Sequence, residues 1–187
     1  MNKTGSYKQA IKSLLDDYLK KGDSEEIEKY LASNSNLPGP RGNLELAEVF
    51  AETVEELYIE SPEKMWSFCL ELISLSPERA PTNSSMEFLP FCGTLAMGAI
   101  GSTSQVSLRR AMPLLREMAH DTRWRAREAV AMGTQRLITG QGNDALKRLE
   151  EWVIDNDWLA MRAVAAGVAE PALLKDERIA MQALELH

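Results

Sequence analysis

Residues 115–133 read LREMAHDTRWRAREAVAMG, and 34 positions later residues 149–167 read LEEWVIDNDWLAMRAVAAG. Laid over one another, Leu115, Glu117, Asp121, Trp124, Ala129, Val130, Ala131 and Gly133 fall on Leu149, Glu151, Asp155, Trp158, Ala163, Val164, Ala165 and Gly167. A self-similarity at this period is the mark of a chain built from repeated supersecondary units. Each copy opens on an amphipathic stripe: Leu108, Ala111, Met112, Leu115, Met118 and Ala119 in the first, Ala145, Leu146, Leu149, Trp152 and Val153 in the second. Those spacings are helical. Asp121 and Asp155 stand where an N-cap belongs, so each unit predicts two helices. The second helix of each carries small residues, which let neighbouring helices approach closely.

The same period runs outward through the chain. SYKQAIKSLLDDYLKKG places Ile11, Leu14, Leu15, Tyr18 and Leu19 on one stripe, with Gly22 as the stop. Asp23 or Ser24 can cap a short helix to about residue 32. NSNLPGPRGN then forbids a helix through two prolines and two glycines. Asn43 can cap the next helix, and Ser61–Pro62 the one after. A second long loop covers 76–87, and further helices are predicted at about 86–99, 104–119, 122–138, 143–154, 157–169 and 175–186. LAMG at 95–98 echoes VAMG at 130–133 as a weaker third copy. No segment reads as a strand. The predicted organisation is one all-α domain over 1–187, a right-handed α-α superhelix of stacked antiparallel helix pairs. Within it 1–60 are capping helices, 61–100 a degenerate repeat with the 76–87 insertion, 105–138 and 139–170 matched repeats, and 171–187 the start of another. The chain ends within a segment of helical period, ERIAMQALELH, so a continuation is expected.

At 187 residues, with 44% hydrophobic and 26% charged residues, the composition is that of a folded protein. Its formal net charge of -7 argues against a general binder of nucleic acid or anionic membrane. The balance is uneven, however, for 105–136 hold seven arginines against Glu117, Asp121 and Glu128. No apolar run reaches the length of a membrane span and the start lacks an h-region, which predicts a cytoplasmic protein. Cys69 and Cys92 lie in apolar helical contexts and read as buried free thiols. His120 and His187 are the two histidines, and no cluster has metal-ligand spacing. Neither a metal nor another cofactor is predicted. Glu25–Glu26 and Glu55–Glu56 are sequence neighbours that cannot converge on one substrate, so catalysis by paired carboxylates has little support.

The Asp121-x5-Arg127 pattern, in a second helix that comes after a first helix containing Pro113, resembles a HEAT repeat. LPGPRGNLELA together with RWRAREAVAMG is also similar to bacterial HEAT-repeat proteins of no assigned function. The resemblance covers 105–170 best. It implies an Asp–Arg ladder between neighbouring repeats, although Met161 occupies the Arg127 position in the second copy and Arg162 lies one residue later. It implies a binding scaffold, or, by the minority case of alkylpurine DNA glycosylases built from HEAT-like repeats, an enzyme acting on DNA lesions.

The second copy retains Asp, Trp, Ala-Val-Ala and Gly but replaces Arg123, Arg125, Arg127 and Arg136 with Asp157, Leu159, Met161 and Glu170. A phosphate track made by repetition would keep its cations. Asp121, Trp124, Arg127, Gly133, Asp155, Trp158 and Gly167 therefore read as scaffold, with both tryptophans packed against the preceding helix and Arg127 in the ladder. Arg123, Arg125 and Arg136 remain candidates for a concave groove that would hold an acidic or phosphate-bearing partner. Arg41 is the one residue of the 36–43 loop able to hold an anion. The predicted role is a non-catalytic scaffold for a protein or peptide partner. A DNA-binding or glycosylase-like protein is the second reading.

Overall fold

The computed structural model describes residues 3–185, and among them there are ten α-helices and no strand. His187 lies outside the described residues. The helices are α1 (Lys3–Lys21), α2 (Glu25–Ser33), α3 (Leu44–Tyr58), α4 (Pro62–Ile73), α5 (Phe88–Ser102), α6 (Gln105–Met118), α7 (Trp124–Gln141), α8 (Asn143–Ile154), α9 (Trp158–Val168) and α10 (Glu177–Glu185). The chain divides into two compact units, 1–96 and 97–187, and the division falls inside α5. No helix among the described residues is long and apolar enough to cross a membrane.

In the first unit α3 lies against α1 and α4. Its core gathers Ile11, Leu15, Leu46, Phe50, Val54, Met65 and Phe68, all of them fully enclosed. Tyr18 and Phe50 close on the Phe68 ring at 4.7 and 6.1 Å between centroids. Gly22 ends α1 with φ at +74°, a left-handed conformation that a β-carbon would strain. Lys64 adds a second stop by donating to the Leu19 carbonyl at 2.7 Å. Asn43 caps α3, accepting from the Leu46 amide at 3.2 Å, and its buried amide donates to the Tyr7 hydroxyl and the Asn34 carbonyl. One side chain thus starts a helix and anchors the loop before it.

The two long loops of this unit meet, for the Gly39 amide donates to Asn83 Oδ1 at 3.0 Å. A β-carbon on Gly39 would stand 2.5 Å from the Asn36 carbonyl oxygen, so the bend depends on glycine. The fully buried Glu87 accepts from the Asn83 amide at 2.7 Å and holds the second loop from beneath. Cys69 and Cys92 are free and buried. Burial pushes both thiols well above their ordinary range, which leaves them unreactive.

The second unit contains the two matched segments. Helices α6 and α7 form one hairpin and α8 and α9 the next, with α8 also against α6 and α9 against α7. Glycine permits this packing. A β-carbon on Gly98, in the last turns of α5, would lie 2.4 Å from the Gly133 α-carbon of α7. One on Gly167 of α9 would lie 2.6 Å from Thr134 Cγ2 and 3.3 Å from the Ala131 carbonyl oxygen. The Gly98–Gly133 contact joins LAMG to VAMG, so that sequence echo is a helix–helix contact. Helix α10 packs on α8.

Candidate functional site

The turn between α6 and α7 departs from its predicted arrangement at almost every residue. Helix α7 begins at Trp124 rather than just after Asp121. Asp121 instead accepts from the Arg123 backbone amide at 2.7 Å and from its guanidinium through Nε at 2.9 Å and Nη2 at 2.5 Å. Arg123 is only 1% exposed and cannot line a groove. The physical reason is local: a carboxylate two residues earlier supplies the counter-charge and acceptors that a buried guanidinium requires. Burial raises the Asp121 pKa, but hydrogen bonds and charge from Arg123, with the charge of Arg127, outweigh it and hold the carboxyl below its ordinary range.

Arg127 makes no ladder rung to a neighbouring hairpin; its Nη1 donates to the carbonyls of Asp121 at 2.6 Å and Thr122 at 3.1 Å, closing its own turn. Arg125, predicted to face a groove, is buried with its guanidinium 4.5 Å from the Trp124 ring centroid. Arg136 is half-buried and Arg41 is exposed on its loop.

The second copy uses its acids differently. Asp157 caps α9 by accepting from the Ala160 amide at 3.2 Å, while Asp155, the predicted cap, closes α8 and pairs with Arg116 at 2.8 Å. Arg116 also reaches Asp157, and His120 places Nε2 3.0 Å from the same carboxylate with Nδ1 3.0 Å from the Arg116 carbonyl. Burial works against the Asp157 charge, but the Ala160 amide, His120 and Arg116 prevail and its pKa is lowered. The α6–α7 turn is thereby tied to the start of α9.

The tryptophans are the largest correction. Trp124 is 46% exposed and Trp158 is 78% exposed, whereas Trp66 and Trp152 are buried. Each repeat tryptophan is the first residue of its helix, beyond the end of the preceding one, and on the Trp124 ring lies the Arg125 guanidinium. Their relation comes from a salt bridge. Arg162 of α9 pairs with Glu128 of α7, 34 positions earlier, so equivalent residues of the two helices stand side by side. Trp124 is four residues before Glu128 and Trp158 four before Arg162, one turn up the same faces. The two tryptophans thus occupy equivalent first-turn positions of adjacent helices, a ladder of one residue per hairpin in position along the chain. Leu159 and Ile154 lie beside the second rung in sequence and are also exposed.

A cavity of about 210 Å³ between α6 and α8 is lined by Gln105, Leu108, Asp144, Lys147, Arg148 and Glu151. Its two cations are matched by two carboxylates, and Gln105 already donates to Asp144. Among the described residues no group of three or more His, Cys, Asp and Glu side chains could hold a metal ion. Compared with protein-family models, curated proteins and solved structures, the chain gives no match.

Proposed function

We propose that 105–170 form two turns of a right-handed HEAT-like α-solenoid, and that the protein is a non-catalytic scaffold which binds a protein partner. The observation that carries this reading is the in-register pair of exposed tryptophans on α7 and α9. Large aromatic surface left in water by a folded domain marks interaction sites, and tryptophan is among the residues that supply most binding energy at interfaces. Repetition also explains why both copies keep the residue: each adds one contact to an extended surface. The contact face is therefore the tryptophan ladder rather than a groove of arginines.

A photo-reactive residue at exposed Leu159, next to Trp158, tests this, with a control at exposed Ile59. The expected result is one partner cross-linked at 159, absent at 59 and lost in Trp124→Ala. Equal labelling from both positions would overturn the proposal.

The DNA-lesion reading has less support. It needs a carboxylate beside an exposed aromatic and arginines at the surface, but Asp121 is held by Arg123, and Arg123 and Arg125 are both buried. Titration with duplex DNA at falling salt should give no binding; tight binding that weakens steeply with salt would favour that reading instead.

A further inference from the structure

We propose that the cavity between α6 and α8 is a binding site for a small aliphatic amino acid, held as its zwitterion. The site belongs to the first helices of the two hairpins and is independent of the scaffold reading, which concerns α7 and α9.

The first argument is unmet charge. Asp144, Lys147, Arg148 and Glu151 recur at i, i+3, i+4 and i+7 along α8 and so share the face that lines the cavity. Asp144 accepts from the Gln105 amide. Asp144–Arg148 and Lys147–Glu151 have the spacing of intrahelical ion pairs, yet among the described residues neither pair closes. Lys147, Arg148 and Glu151 have no hydrogen-bonded or ionic partner there. Arg148 is half-buried, and a guanidinium partly withdrawn from water without an acceptor gains most from a ligand carboxylate. Glu151, one turn further along, is the acceptor for an ammonium group.

The second argument is balance and size. Two cations and two carboxylates make the lining neutral overall. A lone anion would meet Asp144 and Glu151, a lone cation would meet Lys147 and Arg148, and an uncharged molecule would leave both signs unmet. A zwitterion answers both signs at once. The cavity measures about 210 Å³, and its apolar wall is the enclosed Leu108. Water takes about 30 Å³ per molecule, so the space suits about seven non-hydrogen atoms, the size of a small amino acid. The repeat also separates the two cations from the scaffold. The first copy carries Pro113 and Leu114 where the second carries Lys147 and Arg148, so a hairpin of this kind folds without them.

The test titrates the full, isotope-labelled chain with L-valine, L-alanine and glycine and follows its amide resonances. Isovalerate and isobutylamine, the L-valine skeleton without its ammonium or without its carboxylate, serve as controls. The expected result is saturable shifts confined to α6 and α8, with each control binding at least tenfold more weakly than L-valine. Arg148→Leu, which matches Leu114 at the equivalent position of the first copy, should abolish the shifts at an unchanged unfolding temperature. Trp158→Ala should leave them intact. If Arg148→Leu unfolds the protein, Glu151→Gln serves in its place and should weaken binding at least tenfold. No saturable shift with any of the three amino acids, equal binding of either control, shifts centred outside α6 and α8, or indifference to these two variants would overturn the proposal.

Discussion

Arg123 shows what a single side chain contributes at the turn. An almost fully buried cation needs the counter-charge that Asp121 supplies, so removing the acid is costlier than removing the pair. Asp121→Asn should destabilise the protein by about 3–5 kcal/mol in urea unfolding, and Asp121→Asn/Arg123→Met by clearly less. The same pair predicts a pH dependence. A carboxyl whose folded pKa is depressed contributes stability that is present above its unfolded value, about 3.9, and lost as pH falls through the folded value. The urea midpoint should therefore drop below about pH 4 in the wild type, with a smaller drop in the double variant. Trp158 behaves oppositely to the enclosed tryptophans. Trp158→Ala should change stability by no more than about 0.5 kcal/mol, whereas Trp152→Ala should cost about 3–5 kcal/mol.

At the scale of helices, most of the architecture was legible because punctuation and period agree. Gly22, Asn43 and Pro62 mark real helix ends, and α8 occupies the residues its periodicity assigned. The turns were not legible from the same logic. Asp121 and Asp155 align in the repeat but do different work, because their next two residues differ: Asp-Thr-Arg offers a guanidinium two residues on, and Asp-Asn-Asp a second acid that takes over the cap. Asp176-Glu-Arg178 repeats the first arrangement at the start of α10, so an acid two residues before an arginine at a helix start is the signal that was available. The tryptophans misled because repetition was equated with burial, although a repeated surface also preserves its contact residues. Glycine gives a sharp contrast between elements. Gly5→Ala, in open space on α1, should stabilise by about 0.5–1 kcal/mol, while Gly98→Ala, aimed at the Gly133 backbone, should destabilise by about 1–3 kcal/mol. Thermal unfolding of the two variants checks both signs.

At the scale of the whole molecule, the decisive feature is the registration of one hairpin on the next within 97–187. Gly98, Gly133 and Gly167 set the closeness of approach, the Arg116, His120 and Asp157 contacts tie one turn to the next hairpin's second helix, and Glu128 with Arg162 fixes the register. That registration turns two separately exposed indoles into a ladder, and the proposed function depends on it. The Glu128–Arg162 pair is half exposed, so its strength is modest, about 0.2–1 kcal/mol, and its value is geometric. The most direct test replaces it with chemistry that reads distance: Glu128→Cys/Arg162→Cys treated with a bismaleimide spanning one helix spacing, about 8–10 Å, beside the single variant Glu128→Cys as control. Side-by-side repeats predict rapid intramolecular closure of the pair at a rate independent of protein concentration. Failure of that pair to close in a folded protein would overturn the side-by-side arrangement and the ladder with it.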